Sequence, residues 1–169
     1  MATGRDAFIK AGYVDNSNKT ENKGRHINLN YIEGGYFNEN GTIKPDLLIK
    51  TAKEYGEILS VYSTDAKGKK HYENSYNKIR GFFDEVASIK EAMNNGYCSP
   101  EEAQEKIELM LSRVYKRTET GTVNKDFRNF FETNVMIISK TYGSSEIKKA
   151  INAFANHYEA VVGFTTIKN

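Results

Sequence analysis

The chain has 169 residues, 38% of them hydrophobic and 27% charged, and a formal net charge of +2 at pH 7. That length suits one domain that buries its own core, and excludes a multi-domain machine. With a mean hydropathy of −0.65 and no run near the ~20 apolar residues of a spanning helix, no membrane span is expected. The opening MATGRDAFIKAGYVDN has no apolar stretch, so no signal peptide is expected either. A single cysteine, Cys98, cannot make an internal disulfide, which fits a reducing cytoplasm. Two prolines and no tryptophan beside eleven tyrosines favour helices over a β-sandwich.

Residues 1–44 are rich in Asn and Gly and carry no helical repeat beyond one turn. They read as a partly ordered N-terminal arm that docks, if at all, through Tyr36, Phe37 and Ile43. From residue 45 the period becomes 3.6, and 45–169 reads as a helical domain. The first helix is expected over 45–62, with Pro45 in its first turn and a stripe of Leu48, Ala52, Tyr55, Leu59 and Tyr62. A polar loop over 63–71 follows. The second helix, 73–95, has the clearest stripe: Ile79, Phe82, Phe83, Val86, Ile89 and Met93, with Gly96 as a left-handed cap. Ser99-Pro100-Glu101-Glu102 is a capping box that starts a third helix, 100–117. A fourth, 124–142, carries Phe127, Phe130, Phe131, Asn134 and Ile138. Ser144 or Ser145 caps a fifth, 145–164, with Ile147, Ile151, Phe154, Tyr158, Val161 and Val162 inward. The fold class is all-α, a compact bundle of about five helices.

The chemistry of an active site is hard to find. None of His26, His71 and His157 has a glutamate three residues before it, as the Glu-x-x-His of helical di-iron sites requires, so no metal is expected. No glycine-rich phosphate loop opens a helix, and no cofactor is expected. Cys98 with His157 is a remote nucleophile–base pair; an idle loop cysteine is the plainer reading.

The basic residues say more. Residues 63–80 carry Lys67, Lys69, Lys70, Lys78 and Arg80 against Asp65 and Glu73. On the third helix Lys106, Arg113 and Arg117 share one flank, with Lys116 beside them, while Glu101, Glu105 and Glu108 fall on another. Such segregation suits a phosphate backbone. Complementing the helix dipole places Arg113, Lys116 and Arg117 equally well, though not Lys106. Arg128 is expected to pair with Glu132 at i,i+4. Gly81 stands on the outer face of the second helix, where a phosphate or a partner backbone can come close, although a tolerated neutral change is the plainer reading.

Three segments carry a resemblance: Tyr76-Asn77-Lys78-Ile79-Arg80-Gly81-Phe82-Phe83-Asp84-Glu85-Val86, then Leu109-x-x-x-Arg113-Val114-Tyr115-Lys116-Arg117, then Phe154-Ala155-Asn156-His157-Tyr158-Glu159-Ala160-Val161-Val162-Gly163-Phe164. In order and spacing they resemble the small subunit of type III-A CRISPR–Cas effector complexes, the Csm complex, over about 45–169. The arm is longer than that family usually carries, and nothing is extended to it. The resemblance implies a non-catalytic helical protein that stacks in a filament beside other Csm subunits. It implies contacts to target RNA and the guide (crRNA)–target duplex through basic side chains. Matched residue by residue, Lys78 and Arg80 hold the basic positions of the first segment, and Arg113, Lys116 and Arg117 those of the second; Lys106 joins them on charge alone. The alternatives are the type III-B small subunit with the same role, and a helical protein–protein adaptor that binds no RNA.

Overall fold

Each helix begins and ends where local chemistry stops it. The structure, a computed structural model, describes residues 24–168. A 3₁₀ turn at Pro45–Leu47 leads into α1, Lys50–Leu59. Two short antiparallel strands follow, β1 (Tyr62–Thr64) and β2 (Lys70–Tyr72), and then α2 (Tyr76–Asn94), α3 (Pro100–Glu119), α4 (Lys125–Ser139) and α5 (Ser144–Phe164). The described residues thus hold the expected bundle of five helices, with one small hairpin added.

Ser75 caps α2 by accepting from the Lys78 amide. Gly96 takes φ +77° just past its end, the left-handed region that glycine enters without strain. The capping box at α3 is complete: Ser99 Oγ accepts from the Glu102 amide at 3.1 Å, and Glu102 Oε2 from the Ser99 amide at 2.8 Å. Asn124 Oδ1 caps α4 through the Phe127 amide at 3.0 Å.

Three expectations need correction. The first helix does not start at Pro45: Ile49, with φ −123° and ψ −80°, breaks the chain between the 3₁₀ turn and α1. Leu47 rather than Leu48 is buried as a result, and Tyr62 belongs to β1. The loop 63–71 contains the hairpin, closed by Asp65, whose Oδ1 accepts from the Lys67 and Lys69 amides at 2.9 and 3.0 Å. Both of its faces are largely exposed, so no apolar alternation marks it in the sequence. At α5 neither serine caps. Gly143 is the N-cap, with φ +86°, and the Ser144 hydroxyl donates to the Glu101 carboxylate on α3 instead.

α5 is the central element and packs against each of the other four helices. Its apolar side is wider than the six-residue stripe, for Ala150, Ala153, Ala155 and His157 are buried too. Small side chains let neighbours come close on several sides. Where α1 meets its end, a Cβ on Gly56 would stand 2.7 Å from the Phe164 backbone, so only glycine fits. Phe82, Phe83, Phe127, Phe130, Phe131, Phe154 and Tyr158 form one aromatic core, and the Tyr158 hydroxyl donates to the Ile79 carbonyl at 2.7 Å. Burial in that core pushes the Tyr158 phenol well above its usual pKa.

Residues 24–44 are irregular yet seated. Ile27, Ile32 and Tyr36 are buried, while Phe37 and Ile43 pair across an isolated bridge and pack on the core. Polar bonds hold this segment from two sides. Asp126 accepts from the Ile27 amide at 2.9 Å and from His26 at 3.1 Å. Asn134 accepts from the Tyr36 hydroxyl and donates to the Tyr31 hydroxyl, each at 2.8 Å. The Tyr31 hydroxyl donates in turn to His157 Nε2 at 2.7 Å, and His157 Nδ1 donates to the Leu47 carbonyl. A carbonyl only accepts, so the proton sits on Nδ1. Residues 1–23, the outer part of the expected arm, lie outside the described residues.

Candidate nucleic-acid interface

α2 and α3 are joined by a five-residue turn, so the N-terminal half of α2 lies beside the C-terminal half of α3. Between them runs an open groove of about 400 Å³. From α2 come Asn77, Lys78, Gly81, Phe82 and Glu85; from α3 and its C-cap come Arg113, Lys116, Arg117 and Thr120. The spacing explains the assembly. Residues 78, 81, 82 and 85 follow i, i+3, i+4 and i+7, as do 113, 116, 117 and 120, so each set is one helix face.

Four of the six basic residues singled out in the sequence meet in this groove: Lys78, Arg113, Lys116 and Arg117. The other two stand apart. Arg80 lies on the next face of α2, tied to Asp84 at 2.9 Å with its guanidinium 5.2 Å from the Phe83 ring centre. Lys106 is exposed on the same flank of α3 as Arg113, seven residues earlier, and does not line the groove.

The cations are held differently. Both terminal nitrogens of Arg113 donate to the two oxygens of Glu85, one at 2.9 Å, and the guanidinium stands 6.0 Å from the Phe82 ring centre. Lys116 is 3.7 Å from Glu119, an exposed i,i+3 pair worth little. Lys78 and Arg117 have no ion-pair partner among the described residues. A Cβ on Gly81 would meet nothing within 4 Å, so the wall is open there. The groove therefore presents four cations against one internal carboxylate. The N-terminus of α2 and the C-terminus of α3 meet there, so their dipoles offset each other and the side chains supply the positive charge. Backbone phosphates of a nucleic acid fit that arrangement chemically, because it offers charge and donors without a base-reading pocket.

Sequence reasoning missed Asn77, Glu85 and Thr120 as groove residues. The face spacing was there to be read for 85 and 120, but carboxylates and threonines on an outer face pass for ordinary solvated positions. The expected Arg128–Glu132 pair is also absent. Arg128 stacks 4.9 Å from the Tyr115 ring centre, and the Tyr115 hydroxyl takes Glu132, 2.9 Å from each oxygen. Stacking on the ring competes with an exposed i,i+4 pair and wins.

The rest of the molecule offers little for catalysis. No group of three His, Cys, Asp or Glu among the described residues is placed to hold a metal ion. No helix among them is long and apolar enough to cross a membrane. His157 is fully buried, and burial lowers its pKa to about 4, against the opposing effect of the Leu47 carbonyl. Both ring nitrogens are engaged by Tyr31 and Leu47, so it does not serve Cys98 as a base.

The family model for Csm2 Type III-A matches residues 44–168, which include all five helices and both sides of the groove. The chain belongs to the Csm2 Type III-A family. It is a small subunit of the type III-A Csm complex of CRISPR–Cas systems, and the type III-B alternative gives way to that assignment. No curated protein and no solved structure matches the chain.

Proposed function

We propose that this small subunit works without catalysis of its own, stacking in a filament with further copies and with other Csm subunits in the cytoplasm, along the guide–target RNA duplex. Target RNA lies with its phosphates in the α2–α3 groove, on Lys78, Arg113, Lys116 and Arg117. Arg80 and Lys106 stand outside the groove and serve as lesser contacts along the same strand. Any target has to be accepted, so the contacts are to backbone rather than to base edges. The observation that carries this reading is the convergence of four basic side chains from two helices on one open groove in a member of this family.

The test is assembly with the remaining Csm subunits and a guide RNA. A variant with Lys78→Glu, Lys116→Glu and Arg117→Glu should still co-purify in the complex, and that complex should retain labelled target RNA less well as salt rises. Full assembly with unchanged RNA retention would favour the adaptor reading.

A further inference from the structure

The groove contains its own anion, and that carboxylate has no role in the reading above. Glu85 comes from α2, between the two helices, and grips the guanidinium of Arg113 through both oxygens. A bidentate carboxylate occupies the fork of an arginine in the same geometry that a phosphate would use. Neither side chain is driven together by burial: their side chains are 53% and 40% exposed. An ion pair this exposed is weakly held and exchanges with solvent or with another anion. Lys78 and Arg117, by contrast, have no ion-pair partner among the described residues to give up to a phosphate.

Resting on the RNA-backbone reading of this groove, we propose that Glu85 is a resident competitor that regulates the site. In the free protein it fills the Arg113 fork, and an RNA phosphate has to displace it before Arg113 contributes. Binding then has two stages in one groove: first contact through Lys78 and Arg117, followed by exchange of Glu85 for phosphate on Arg113. Such an arrangement keeps an isolated subunit weak on stray RNA. It reserves full contact for strands held in place by their neighbours, where the exchange is driven by high local concentration.

Fluorescence anisotropy with a labelled, unstructured single-stranded RNA tests this on the full chain. Glu85→Gln keeps the shape and removes the charge, so it should bind about fivefold tighter at 0.1 M salt, the size of one charge removed at contact distance in water. Its log affinity should also fall more steeply with log salt, by ~0.7 for the one additional phosphate engaged. Glu146→Gln, which removes the same charge beside Lys149 on α5, should leave affinity unchanged. Equal or weaker binding by Glu85→Gln, while Lys78→Glu with Arg117→Glu abolishes binding, overturns the competitor role and leaves the groove reading standing. A gain shared by Glu146→Gln reduces the effect to net charge and overturns it as well. Binding that ignores Lys78 and Arg117 altogether overturns both readings.

Discussion

Two polar regions of the molecule put their side chains to opposite ends. Around His157, polar groups are buried and every one of them is matched: Tyr31, Asn134, Tyr36 and the Leu47 carbonyl form a continuous chain of donors and acceptors. In the α2–α3 groove the charged groups face water: Arg113 and Lys116 are paired through exposed contacts, and Lys78 and Arg117 have no ion-pair partner among the described residues. A buried hydrogen bond left half-made is costly, so the first region is fixed by folding itself. The second has no such constraint. Its cations are excess relative to what the fold requires, and an excess of one sign on one face is what an outside partner can use.

Acid should break the buried region first. His157 titrates at about 4 in the fold against ~6.5 when unfolded, so between those values the unfolded chain binds the additional proton. Its contribution is whole above pH 6.5 and is lost as pH falls through 6.5 towards 4, about 3 kcal/mol in all. Urea unfolding at pH 7 and pH 4.5 measures it, and His157→Gln should flatten that difference. An equal slope in the variant would assign the acid sensitivity to other groups.

Tyr31→Phe probes the same region at neutral pH. It leaves His157 Nε2 and one Asn134 donor without a partner, and should cost ~1–3 kcal/mol in denaturant melts while RNA affinity stays at the wild-type level. Gly81→Ala has the smallest expected effect and belongs to the groove. The site is open and helical, so alanine should stabilise by ~0.5–1 kcal/mol. A simultaneous fall in RNA affinity would show that the strand approaches the α2 backbone there.

The helices and the aromatic core were legible because period 3.6 and caps are local signals. Ile79 to Met93 and the Ser99–Glu102 box are examples that sit as expected. What escaped depends on distant partners. Tyr31 and Tyr36 lie in a stretch with no repeat, and their seats on His157 and Asn134 come from residues 126 and 98 positions away. The glycine at Gly56 answers to the end of α5, not to its own neighbours. The site was half legible for the same reason. Charge on one face of α3 could be read from spacing, but which face of α2 it meets, and that Glu85 stands between them while Arg80 turns away, only packing decides.

The comparison stands or falls on RNA affinity measured by anisotropy for two variants side by side, with melting temperature recorded on the same samples. Lys78→Glu, Lys116→Glu and Arg117→Glu together should lower affinity for single-stranded RNA by at least about tenfold at low salt. Exposed charges contribute little to folding, so that variant should melt close to the wild type. Tyr31→Phe should show the reverse, a lower melting temperature with unchanged affinity. A groove variant that binds RNA as the wild type does would contradict the account.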